Sequence, residues 1–320
     1  SWAVISDEDL GLPSTGDGNI SELVTNTTND ILTATIEVTP TYTNAGESCT
    51  GPSKEFTITV NPTAQVEGID PIVVCNGDDI ADIVFSTANE NGTTIYSWTN
   101  DNTSIGLGAS GDGNISSFEA DNETNDPITA NITVIPSYDA EDPLACTGEE
   151  MTFTITVNPT AQMGEVPDYV FCNGEEIIDE INFTTENSGG TTAYVWENTG
   201  GVDIGLPSSS GTIQDTNPYL SFTAVNTGAD AISTQITVYP TFTNAGETCF
   251  DTDASQNFTI TVRPTTNVTA FDDQFIFTGD TTDPVTLESA TENATFSWTA
   301  VAETGINGLQ NTSGSTNTIP

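Results

Sequence analysis

The sequence predicts an all-β chain of tandem antiparallel β-sandwiches joined end to end. Three observations predict it: apolar residues alternate with threonine, serine and asparagine at a period of two, the same landmarks return about every hundred residues, and no stretch sustains the three-to-four period of a helix. Only 35% of the 320 residues are hydrophobic, but the rest are rich in Thr, Ser, Asn and Gly. The four tryptophans and the regular alternation argue against a disordered polyanion.

The repeat is read from Phe56-Thr-Ile-Thr-Val60-Asn-Pro62, which returns as Phe153 to Pro159 and as Phe258 to Pro264. The prolines are 97 and 105 residues apart, and the tryptophans at 2, 98, 196 and 298 are 96, 98 and 102 apart. Four copies result: residues 1–62, the second part of a repeat; 63–159 and 160–264, two whole repeats; and 265–320, the first part of another. On this reading the chain starts in mid-repeat, so the absence of an opening signal peptide says little.

Within a copy the landmarks keep their order. A strand ends in Val74-Cys75-Asn76-Gly77-Asp78, matched by Phe171 to Glu175 and by Ile276 to Asp280. An aromatic-x-Trp strand follows, placing Trp2, Trp98, Trp196 and Trp298 in the core, where their area is worth most. A Leu/Ile-Gly-Leu turn comes next at Leu10, Ile105 and Ile204. Alternating strands through Ile36, Ile132 and Ile236 are expected to end at Pro40, Pro136 and Pro240. The Phe-Thr-Ile-Thr-Val strand closes the copy. Such short strands between Gly, Asn, Asp and Pro clusters describe an immunoglobulin-like sandwich. The short Val-Asn-Pro-Thr joins predict a stiff rod growing by roughly 40 Å per copy.

Charge excludes several functions. There are 47 acidic residues against Lys54 and Arg263, a net charge of -45, and no histidine. A polyanion gains nothing from phosphates, so nucleic acid and anionic membranes are excluded as partners. His-based triads and His-ligated metals are excluded with them, and no apolar run is long enough to span a membrane. No cofactor is expected. Acidic turns at Asp78 and Asp79, and at Asp139 and Asp142, are the calcium candidates, set against ordinary solvated turns because their spacing matches no known loop. Paired carboxylates for glycoside hydrolysis would need a cleft, for which there is no insertion. The chain is therefore expected not to be an enzyme.

Five cysteines stand at 49, 75, 146, 172 and 249. A within-repeat scheme pairs Cys75 with Cys146 and Cys172 with Cys249, leaving Cys49 for a cysteine upstream of the fragment. A between-repeat scheme pairs Cys49 with Cys75 and Cys146 with Cys172, leaving Cys249 unpaired. The first is preferred because it strands only a residue whose own repeat is cut, in a compartment where thiols are oxidised.

The constellation of Val-Cys-Asn-Gly-Asp, aromatic-x-Trp, Ile-Gly-Leu, Ile-Thr-Val-x-Pro, a second Cys and Phe-Thr-Ile-Thr-Val-Asn-Pro resembles the PKD-like repeats of giant Bacteroidota cell-surface adhesins. It is most similar to the SprB-type gliding-motility adhesins of flavobacteria. The resemblance covers the whole chain, with Phe277 in place of the first cysteine of the fourth copy. It implies type IX secretion, a filament attached to the outer membrane, and use in gliding and surface attachment. Its implied partners are the secretion and motility machinery and a surface polysaccharide or solid substratum. Asp280-Thr281-Thr282 resembles the Bacteroidota O-glycosylation acceptor, with Thr281 as the site. The competing reading is a passive spacer or carbohydrate-binding stalk of a secreted glycan-degrading enzyme.

Overall fold

The computed structural model describes residues 1–138, 146–301, 304 and 313–319, with only the backbone of Cys146 described. The chain divides into two compact units, one of residues 1–160 with 244–247, the other of 161–243 with 248–320.

The second copy shows why the alternation folds as it does. Its strands are β7 (Ile72–Cys75), β8 (Asp79–Ile80), β9 (Thr94–Asn100), β10 (Ser110–Asp112), β11 (Phe118–Glu119), β12 (Ile128–Tyr138), β13 (Cys146–Thr147) and β14 (Met151–Asn158), following β1 to β6 of the first copy. The main sheet runs β10-β9-β12-β14-β7, with β13 added to the end of β12, and β8 pairs with β11 in a small second sheet. All pairs are antiparallel except β7 with β14, which run parallel with Val74 opposite Val157. Along β12, Ala130, Ile132 and Val134 are fully buried while Thr129 and Asn131 face out. On β14, Phe153, Ile155 and Val157 bury the same face. Each of the buried valine, isoleucine and phenylalanine side chains contributes about 1.5–3 kcal/mol. On the wet face, Thr129 and Thr156 stand opposite each other with hydroxyls 2.9 Å apart.

The third copy repeats this order with β15 (Tyr169–Cys172), β16 (Glu176–Ile177), β17 (Thr191–Asn198), β18 (Ser210–Gln214), β19 (Phe222–Thr223), β20 (Ile232–Asn244), β21 (Glu247–Phe250) and β22 (Gln256–Arg263). Its main sheet is β18-β17-β20-β22-β15. The first copy retains β2-β1-β3-β6, from β1 (Trp2–Val4), β2 (Thr15–Gly16), β3 (Leu32–Val38) and β6 (Lys54–Val60), and a separate hairpin of β4 (Thr41–Asn44) and β5 (Glu47–Thr50). In the fourth copy the described strands are the short pairs Val285–Thr286 with Thr318–Ile319 and Trp298–Thr299 with Ser313–Gly314. Each of the first three copies has its own apolar cluster.

One expectation fails in an instructive way. The strand stops before Pro40 in the first copy, but β12 runs through Pro136 and β20 through Pro240. Pairing of β12 with β14 ends at Val134 and pairing with β13 begins at Ser137. Pro136 sits in that gap, where its missing N–H costs no ladder bond, and its carbonyl accepts from Gly148 N at 3.0 Å.

Candidate functional site

The Cys-Asn-Gly-acid segments and their fourth-copy counterpart Phe277-Thr278-Gly279-Asp280 build the same turn. The N–H of Asp78 donates to the Cys75 carbonyl at 3.1 Å, as Glu175 does to Cys172 and Asp280 to Phe277. The third position needs a left-handed backbone, and Gly77, Gly174 and Gly279 supply it at φ of 82°, 83° and 102°. The carboxylate then turns back on the turn. Asp78 accepts from Cys75 N at 2.9 Å, Glu175 from Cys172 N at 2.7 Å, and Asp280 from Phe277 N at 3.1 Å.

The turn's asparagine links three parts of the chain. Asn76 Oδ1 accepts from Asn122 N at 2.7 Å while its Nδ2 donates to Thr160 Oγ1 at 2.9 Å. Asn173 does the same with Asn226 and Thr265. Asn122 and Asn226 are almost fully buried. Each donates from Nδ2 to a loop carbonyl four residues on and to the carbonyl of the last core valine, Val157 or Val262. Asn26 makes the same two bonds, to Asp30 and Val60. Sequence reasoning missed these asparagines. Their positions at 26, 122 and 226 step by about the tryptophan period, and that was the available signal.

The predicted residues fall as follows. Trp2, Trp98 and Trp196 are buried and Trp298 is half-buried. Each stands opposite a glycine of the neighbouring strand: Gly16, Gly111, Gly211 and Gly314. A Cβ on any of these four would lie 2.3–2.8 Å from the indole. Asp78 is engaged in its turn, and Asp79 lies exposed on β8 opposite Glu119. Asp139 and Asp142 lie outside the described residues. Among the described residues no three His, Cys, Asp or Glu side chains gather to hold a metal ion. Thr281 is exposed.

The cysteine pairing is corrected. Cys75 and Cys249 are disulfide-bonded, whereas Cys49 and Cys172 are free, exposed thiols. The expected bond between Cys172 and Cys249 is therefore not formed, nor are the alternatives Cys49 with Cys75 and Cys146 with Cys172. Strand register gives the reason. Cys172 ends β15 opposite Arg263, at the Ile232 end of β20, while β21, which carries Cys249, pairs with the other end of β20. Ten residues of strand separate those ends, about 30 Å, against the 7 Å that a disulfide tolerates between Cα atoms. The expected bond between Cys75 and Cys146 involves a side chain outside the described residues.

The second cysteine of the third copy lies on a hairpin with a defined turn. In Asn244-Ala245-Gly246-Glu247 both central residues have positive φ, 50° and 87°, and Asn44 to Glu47 repeat this at 52° and 88°. That is the turn whose twist matches paired strands. Asn244 and the fully buried Asn158 bond reciprocally: Asn244 Nδ2 donates to Asn158 Oδ1 at 2.9 Å and Asn158 Nδ2 to the Asn244 carbonyl at 3.3 Å.

A groove of about 570 Å³ on the second copy is lined by Phe85, Ile95, Tyr96 and Ile135, and Asp112 is its one carboxylate. Burial raises the Tyr96 phenol above its ordinary value. The Asp101 carboxyl is held below its ordinary value by the side chain and backbone N–H of Asn131. Both effects belong to sheet packing and capping, and neither creates an acid paired with a base.

No protein-family model matches the chain, and no curated protein is similar to it in sequence. Among solved structures, the I9–I11 tandem of titin is 13% identical, with a TM-score of 0.26 over 83% of this chain and 89% of that one. Mouse cadherin-23 EC22–24 is 11% identical, with a TM-score of 0.31 over 73% and 74%. Drosophila N-cadherin EC1–3 is 10% identical, with a TM-score of 0.24 over 82% and 89%. The strand order and pairing place the chain among tandem immunoglobulin-like β-sandwiches.

Proposed function

We propose that the chain is a segment of a structural and adhesive filament, part of a very large secreted cell-surface adhesin used in gliding and attachment to surfaces. The observation that carries this reading is the recurrence of one hydrogen-bonded architecture from copy to copy, with the same asparagines and acids engaged in the same turns. Polar groups that would otherwise be candidates for chemistry hold strand ends together. The sequence resemblance to PKD-like repeats supplies the setting: the outer cell surface, with the motility and secretion machinery at one end and a polysaccharide or solid substratum at the other. The net charge of -45 keeps neighbouring filaments apart, and the near absence of Lys and Arg removes sites for trypsin-like proteases.

Deleting the encoding region in the source cell tests the reading. The expected result is loss of attachment to glass and polysaccharide and of movement over them, with growth on polysaccharide intact. Unchanged attachment together with lost glycan hydrolysis would replace the filament with the enzyme-bearing stalk.

A further inference from the structure

We propose that Asn91-Gly92 is a site of spontaneous modification, where attack by the main chain on the asparagine side chain replaces an amide with a carboxylate and uncouples the first copy from the second. The proposal is independent of what the protein adheres to. Both copies lie in one compact unit, and the loop at 89–91 joins them. The Glu90 N–H donates to the Asn29 carbonyl at 2.8 Å, and Asn91 Nδ2 donates to Asp30 Oδ1 at 2.6 Å. Asn89 holds the connecting segment, accepting from Gln65 N at 2.8 Å and donating to the Thr63 carbonyl at 2.9 Å.

The fold favours the labile pair. Residue 91 has a φ of 52°, a conformation open to little besides glycine, asparagine and aspartate. A Cβ at residue 92 would run into the Tyr138 ring and hydroxyl, so glycine is required there. The third copy meets both demands with Gly189, at a φ of 73°, and Gly190, against Phe242. Asparagine at 91 therefore serves the bond to Asp30 rather than the turn.

The Asn-Gly pairs at 76 and 173 are guarded. The nitrogens that would attack, Gly77 N and Gly174 N, donate to the Ala120 and Ala224 carbonyls, both at 2.8 Å. Asn76 and Asn173 are half-buried, and each is engaged through both Oδ1 and Nδ2. Asn91 and Gly92 are exposed. Among the described residues the Gly92 N–H has no acceptor, and the Asn91 side chain has the single bond to Asp30.

In the reaction the Gly92 nitrogen bonds to Asn91 Cγ and gives up its proton as the Cγ–Nδ2 bond breaks, and Nδ2 leaves as ammonia. Water then opens the cyclic imide at either carbonyl, giving aspartate or isoaspartate. Aspartate sets a carboxylate against Asp30 where a donor stood, and like charges repel. Isoaspartate lengthens the main chain beside Tyr138, whose hydroxyl is shared between the Glu90 and Asn91 carbonyls.

The test ages the whole chain in warm, mildly alkaline buffer, folded and in urea. Conversion of amide to acid at Asn76, Asn91 and Asn173 is followed by mass spectrometry of a peptic digest made in acid. The expected result is conversion at Asn91 at least about tenfold faster than at the other two when folded, and similar rates at all three in urea. Equal rates in the folded chain, or the same difference in urea, would overturn the proposal. The effect on the junction is read in the Asn91→Asp variant, where hydrogen-exchange protection of the Glu90 N–H is expected to fall about tenfold while that of Ile132 is unchanged. Asn91→Gly, which keeps the turn and adds no charge, is expected to lose less. Full protection in Asn91→Asp, or an equal loss in Asn91→Gly, would overturn the uncoupling.

Discussion

The tryptophans show how much one residue can depend on a partner too small to notice. Each indole lies across the glycine opposite it, and the glycine's missing side chain is what makes room. Gly111→Ala would place a methyl 2.5 Å from Trp98 Cζ2, and is expected to cost about 1–3 kcal/mol by forcing the ring off its rotamer. Gly108→Ala, where nothing lies within 4 Å, is the control, expected to change stability by less than about 0.5 kcal/mol. Thermal unfolding of both variants, followed by tryptophan fluorescence, checks this. The tryptophan's place in the core was legible in the sequence, because an aromatic inside an alternating run has one buried face to occupy. The glycine opposite was not, since reading it requires the strand register.

At the scale of the element, alternation located the strands and prolines located most of their ends. Pro136 and Pro240 misled because a proline is tolerated wherever pairing on its N–H side lapses, and the switch from β14 to β13 leaves no mark in the sequence. The cysteines misled for a related reason. Separation along the chain says that Cys172 and Cys249 share a copy, but not that β15 ends at one end of the sheet and β21 lies at the other. What holds the strand ends is the buried asparagine. Asn122→Ala would take one donor from each of the Asp126 and Val157 carbonyls and the side-chain acceptor from the Thr124 N–H, with the Asp126 carbonyl keeping the Thr124 hydroxyl. A cost of about 2 kcal/mol is expected, read as a roughly 30-fold loss of hydrogen-exchange protection in the second copy with the third copy unaffected.

For the whole molecule, the copies matter more than any one site. The second and third copies each close a sheet of the same strand order around an apolar cluster of their own. A filament segment built this way should yield to force one copy at a time, because each core is lost as a unit. The central claim is that the chain is a series of independently cored repeats that bear load. It is tested most directly by stretching single molecules from residue 1 to residue 320 under reducing conditions. The account predicts separate unfolding events for the second and third copies, each releasing about 300 Å of chain at 3.3–3.6 Å per residue. A single event that releases both copies together, or extension without any event, would contradict it.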